Sequence, residues 1–155
     1  MKAFWDERYD TEQYVYGKDP NEFFSLEIDK LVPGIILLPG EGEGRNAVYA
    51  ASRGWTVAAF DQSRVGSEKA QRLAKEMGIQ LDYQISEIES YHFRQDHYDV
   101  VGLTFVHVPP LLRKKLHGQV LQALKPGGVV ILEAFHTSQL GNDTGGPQSL
   151  EMLFD

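Results

Sequence analysis

Apolar residues along this chain come in short, nearly continuous runs separated by segments with helical spacing. Ile35–Leu38, Thr56–Phe60, Leu81–Ile85, Asp99–Phe105 and Val129–Ala134 read as five strands, the third weaker than the others. Runs this apolar belong to strands buried on both faces, as in a parallel sheet covered by helices. Between them, Ala70, Leu73, Ala74 and Met77 follow i, i+3, i+4, i+7 spacing behind Ser63, a cap, and ahead of Gly78, a natural C′ residue. Leu112, Leu116, Val120, Leu121 and Leu124 form a second stripe after Pro109-Pro110, and Lys125-Pro126-Gly127-Gly128 turns the chain into the fifth strand. A helix starts near Arg45, burying Val48 and Ala51, and Gly54 closes it. An earlier helix starts at Asp19-Pro20-Asn21, with Phe24, Ile28, Leu31 and Val32 on one face, and ends at Pro33-Gly34. The predicted fold is α/β: a Rossmann-like, doubly wound parallel sheet of five strands in the order 3-2-1-4-5. One domain is expected, with residues 1–18 as an N-terminal arm, 19–136 as the core and 137–155 as an incomplete C-terminal segment. Ser149–Asp155 reads as an interrupted helix.

The arm is rich in aromatics: Phe4, Trp5, Tyr9, Tyr14 and Tyr16. It reads either as a surface arm pinned by those rings or as a lid over a ligand.

The first strand ends in Gly40-Glu41-Gly42-Glu43-Gly44-Arg45-Asn46, a Gly-x-Gly-x-Gly loop opening a helix. That unit holds nucleotide-like ligands in α/β folds. A dinucleotide fingerprint needs its third glycine one place later, where Arg45 stands. Glu41 and Glu43 would also oppose a desolvated pyrophosphate. A cationic, phosphate-free nucleoside such as S-adenosylmethionine fits better, and an NAD-type oxidoreductase is disfavoured. Ligands of such sheets lie at the carboxyl ends of the strands. Asp61, ending the second strand, is placed to accept ribose hydroxyls. After the third strand, Glu87 is a candidate acceptor for an adenine amino group, with the Ile88 amide beside a ring nitrogen. His107, after the fourth strand, reads as a base, a substrate contact or a structural histidine. His136 and Glu133, near the end of the fifth, are further candidates to line the site.

The 155 residues carry a formal net charge of −7, which argues against a polyanion-binding surface and so against nucleic-acid substrates. No run approaches the roughly 20 apolar residues of a membrane span. The N-terminus lacks an apolar signal core, so the default location is cytoplasmic. With no cysteine, disulfides, thiolate catalysis and thiolate metal sites are excluded. The histidines show no metal-ligand spacing, and no metal is expected.

Taken together, Phe4-Trp5-Asp6-Glu7-Arg8-Tyr9, the Tyr16-Gly17 and Pro20-Asn21 pairs, the glycine loop, Phe60-Asp61-Gln62-Ser63, His107-Val108-Pro109-Pro110 and Leu124-Lys125-Pro126-Gly127-Gly128 resemble class I S-adenosylmethionine-dependent methyltransferases. The resemblance covers nearly the whole chain and lies nearest the small-molecule branch of tellurite-resistance and thiopurine-type enzymes. It implies methyl transfer to a small acceptor, leaving S-adenosylhomocysteine. In it the glycine loop (Gly40, Glu41, Gly42, Gly44, Arg45 and Asn46) holds the methionine and ribose, Asp61 the ribose, and Glu87 with Ile88 the adenine. Tyr14, Gln62 and Phe105 complete the expected cofactor wall, and the arm closes over it. Two departures stand out. Leu38 occupies the position where the family carries an acidic residue, and the strands that complete a seven-strand sheet are missing. The second implies a shortened chain whose unfinished edge would pair two copies into a homodimer. It leaves open a weakly active relative that binds cofactor or self-associates.

Overall fold

The computed structural model describes residues 1–155. Its strands are β1 (Ile35–Pro39), β2 (Thr56–Asp61), β3 (Asp82–Ile85), β4 (Tyr98–Thr104) and β5 (Leu124–Glu133). All neighbouring strands are parallel, in the order β3-β2-β1-β4-β5. The helices are α1 (Lys2–Tyr9), α2 (Glu22–Ile28), α3 (Arg45–Ser52), α4 (Arg64–Glu76) and α5 (Pro110–Ala123). No helix is long and apolar enough to cross a membrane.

Strand alternation sorts β1 between the two faces of the sheet. Ile36 and Leu38 pack with Phe24 and Ile28 of α2 and Ala47 and Ala50 of α3. Leu37 faces the other way, toward Leu116 and Val120 of α5. Leu38 is therefore a core residue, 1% exposed. On the α5 side there is no helix between β3 and β4. The loop instead stacks Tyr91 on Phe60, ring centroids 3.9 Å apart, with Phe93 edge-on to both.

Several boundaries differ from the sequence reading. The arm, to which the sequence reading assigned no element, begins as helix α1. Helix α2 ends at Ile28, so Val32 is left 89% exposed. The Lys-Pro-Gly-Gly turn lies inside β5: Tyr98 pairs with Leu124 and Val100 with Val129, so the intervening residues bulge out of the ladder. The end of the chain is a 3-10 turn, Leu150–Met152, followed by a single parallel bridge between His136 and Phe154. The outer edge of β5 pairs with no other strand.

Candidate functional site

Carboxyl ends of the strands open into one cavity of about 850 Å³, within the range of small-molecule sites, roughly 300–1,000 Å³. The loop after β1 forms its floor. Gly40, Gly42 and Gly44 all have positive φ, between 61° and 88°, a region costly for residues with a Cβ. Gly44 has a second constraint, because a Cβ there would collide with Ala70 of α4.

Asp61 secures this loop. Its Oδ2 accepts the Gly42 N–H at 3.0 Å and its Oδ1 accepts the Ser63 N–H at 2.8 Å. Burial pushes its carboxyl above the usual range, opposed by these backbone bonds. Each oxygen keeps acceptor capacity toward the cavity that Asp61 lines. Glu41 caps α3 from outside the helix: its Oε1 accepts the Ala47 N–H at 2.8 Å. Burial raises its carboxyl to about 8, against the pull of the Ala47 and Asn46 amides and the Arg45 charge. With Leu38 in the core, Glu41 is the carboxylate that β1 and its loop bring to the cavity without a charged partner.

Glu43 behaves differently from the expectation that both loop carboxylates would confront the ligand. Its Oε2 is 2.5 Å from Lys69 Nζ, and its Oε1 accepts the Val15 N–H at 2.7 Å. Both side chains are 4% exposed. Lys69 also donates to the Gln13 carbonyl at 2.7 Å, so the pair ties the arm to the loop. The electrostatic argument against a pyrophosphate therefore rests on Glu41 alone.

Of the other expected cofactor residues, Gly40, Arg45, Asn46, Gln62, Glu87, Ile88 and Phe105 line the cavity, as does His107. Asn46 also accepts the Asn21 N–H at 2.8 Å, joining α2 to α3. Gly42, Gly44 and Tyr14 do not line it. Gly42 and Gly44 shape the loop from behind. Tyr14 is a correction: its hydroxyl donates to the Lys69 carbonyl at 2.9 Å, and its ring packs by α4. The aromatics that do reach the cavity from the N-terminal segment are Phe4, Trp5, Tyr9 and Tyr16. Helix α1 is fixed there by Asp6, which accepts the Ser63 hydroxyl at 2.6 Å.

His107 has both ring nitrogens engaged. Nε2 accepts the Phe135 N–H at 3.1 Å, so Nδ1 carries the hydrogen and donates to the Met152 carbonyl at 2.7 Å. Burial lowers its pKa, favouring this neutral form. Among the three readings of this residue, the bonds describe the structural one: a clamp joining the ends of β4 and β5 to the tail. Neither Glu133 nor His136 lines the cavity; Phe135 between them does. Its ring lies 4.7 Å from that of Phe105, which has φ 52° and so leaves the strand to turn into the site.

The tail supplies a wall that the sequence reading missed. Residues 144–149 and Met152 line the cavity. Gln139, 6% exposed, organises this loop by accepting the Thr144 hydroxyl at 2.7 Å and donating to the Asn142 carbonyl at 3.1 Å. Alternating Gly and polar residues gave a loop signal but no sign of an inward face. No group of three or more His, Asp or Glu side chains converges as a metal site.

A nucleoside-sized cavity over a glycine loop, with carboxylates at the ends of β2 and β3, agrees with what sequence comparison finds. The profile of a family described as "Methyltransferase domain" matches residues 36–128, more than half of the chain. The chain belongs to this methyltransferase-domain family. The match spans β1 through the bulge of β5, so it contains the glycine loop, Asp61, Glu87 and His107. No curated protein matches at a significant level. Among solved structures, this methyltransferase domain is similar to a protein studied for converting a disulfide bond into a thioacetal group during echinomycin biosynthesis (21% identity, TM-score 0.73, 90% of this chain and 62% of that one). It is also similar to an S-adenosylmethionine-dependent methyltransferase from Mesorhizobium loti (25%, 0.62, 70% and 50%). A third is phosphoethanolamine N-methyltransferase 1 from Haemonchus contortus, solved with phosphoethanolamine and S-adenosylhomocysteine (17%, 0.74, 96% and 34%). The chain thus spans at most 62% of these three proteins.

Proposed function

We propose that this protein is an S-adenosylmethionine-dependent methyltransferase acting on a small-molecule acceptor. The observation that carries the reading is the convergence on one cavity of the glycine loop, Asp61 with Gln62, and Glu87 with Ile88. The cofactor fits the donor set: acceptors for ribose and adenine, and an unpaired carboxylate, Glu41, for a cationic ligand. When bound, it supplies an electrophilic methyl group whose carbon–sulfur bond breaks as the acceptor's lone pair forms the new bond, the old pair staying on sulfur. The protein's part is alignment and exclusion of water. Asp61 holds the loop and offers its remaining lone pairs to the ribose hydroxyls. Glu87 takes the adenine amino group beside the Ile88 amide. Helix α1 covers the site as a lid with Trp5 and Tyr9. The aromatic arm and the Gly-Arg-Asn loop end favour the tellurite-resistance and thiopurine-type branch.

Titration calorimetry with S-adenosylhomocysteine, paired with hydrogen exchange of residues 1–18, tests this. Binding with increased protection of α1 is expected; binding with equal protection in both states removes the lid, and absence of binding removes the cofactor assignment. A second reading is a cofactor-binding or self-associating relative with little turnover. The unpaired outer edge of β5 favours it, and a turnover assay separates the two.

A further inference from the structure

Charged side chains in the cavity are confined to one side. They come from α1, the end of β2, the first residue of α3 and the loop after β3, as with Arg8, Asp61, Arg45 and Glu87. The wall built by the ends of β4 and β5, the start of α5 and the tail has none: its side chains include Phe105, Val106, Leu112, Phe135 and Met152. The polar groups there are hydroxyls, an amide and peptide groups of residues 144–149. Arg113, next to Leu112 on α5, is directed to the tail, donating to the Leu153 carbonyl at 3.0 Å and lying over the Phe154 ring. His107 is the one titratable side chain in the wall, and both its nitrogens are bound to backbone.

From this asymmetry, and resting on the methyltransferase reading, we infer that the methyl acceptor is an uncharged, largely apolar small molecule that brings its own nucleophilic lone pair. A carboxylate, phosphate or ammonium group buried against this wall would lose its hydration with no opposite charge to replace it, a cost large enough to exclude it. A neutral ring would lie against Phe105 and Phe135, with the 144–149 loop offering neutral hydrogen bonds. No side chain of the wall has a free lone pair of suitable basicity to remove a proton. This wall therefore leaves proton removal to the acceptor's own ionisation rather than to one of its side chains.

Matched probes test this on the full chain with S-adenosylhomocysteine present: 4-methylphenol against 4-hydroxybenzoate and tyramine, and 4-methylbenzenethiol against 4-mercaptobenzoate. Saturation-transfer NMR reads binding independently of turnover. Near pH 5.5, where the thiol and the phenol keep their protons and the carboxyl groups do not, the neutral member of each set is expected to bind at least ten-fold more tightly. Leu112→Arg and Ser149→Arg, both at partly exposed positions, are expected to reverse the preference toward the carboxylates. With S-adenosylmethionine, the midpoint of the pH–rate profile should follow the acceptor, differing between the thiol and the phenol. A charged probe binding as tightly as its neutral partner, no preference in any set, unchanged selectivity in both arginine variants, or one midpoint common to both nucleophiles would overturn the inference. Failure of S-adenosylhomocysteine to bind would instead remove the methyltransferase reading.

Discussion

Asp61 Oδ2 accepts the backbone N–H of Gly42 at 3.0 Å, so the carboxylate assigned to the ribose also holds the glycine loop in its left-handed turn. One side chain thus couples the end of β2 to the loop after β1.

Asp61→Ala should therefore have two effects. S-adenosylhomocysteine binding should weaken by on the order of 1–3 kcal/mol through lost charge-assisted bonds. The fold should also lose about 1–3 kcal/mol, because the Gly42 and Ser63 amides are left without their buried acceptor. Calorimetry and denaturant unfolding measure the two separately. A folded variant with unchanged affinity would remove Asp61 from the site.

Glu41 gives the binding reaction a pH dependence. Its carboxyl is raised to about 8 in the cavity, so at pH 7 it holds a proton most of the time. A cationic ligand beside it favours the ionised form, so binding releases that proton. Affinity should rise with pH from 6 and level off above 8, and Glu41→Gln should flatten the curve. The stability term has the opposite slope. The folded state holds the proton more tightly than the unfolded chain, so this contribution is fully present below the unfolded pKa, 4.5, and is lost as pH rises through about 8. Calorimetry in buffers of different ionisation enthalpy counts the protons released.

Lys69 and Glu43 form a pair that breaks asymmetrically. Lys69→Met leaves a carboxylate buried without its cation, at a cost of roughly 3–5 kcal/mol. Combining it with Glu43→Leu should recover much of that loss. Urea unfolding of the two variants is the check, and a double variant no more stable than Lys69→Met would contradict the expectation.

The outer edge of β5 leaves Val129, Val130 and Leu132 each 38% exposed. The tail returns to the end of the strand, at His136, rather than along this edge. Unpaired apolar edges associate, so the protein should dimerise at micromolar concentration, and Val130→Lys should shift it toward monomer. Light scattering decides, and a clean monomer mass for the unmodified chain would refute the expectation.

The sheet was legible because buried parallel strands write themselves as apolar runs, and the glycine loop because three closely spaced glycines before a helix leave few alternatives. Asp61 and Glu87 line the cavity where their positions at strand ends put them. Partnerships across the fold were not legible. Nothing near Glu43 in sequence announces Lys69, which reaches it from α4. Tyr14 was misplaced because an aromatic residue packs equally well on a ligand or on a helix. Phe105 was expected at the cofactor wall from the resemblance alone; its apolar run reads only as strand, and the bond from its amide to the Glu133 carbonyl at 2.8 Å has no local signal. The tail wall escaped notice because its inward face depends on Gln139, whose burial no local pattern records.

The most direct measurement is a titration of the purified chain with S-adenosylhomocysteine and, separately, with NAD. A saturable one-site isotherm for S-adenosylhomocysteine, about five-fold or more weaker in Asp61→Ala, with no heat of binding for NAD, is the predicted result. Binding of NAD in preference, or no binding of S-adenosylhomocysteine to a chain that melts cooperatively, would contradict it.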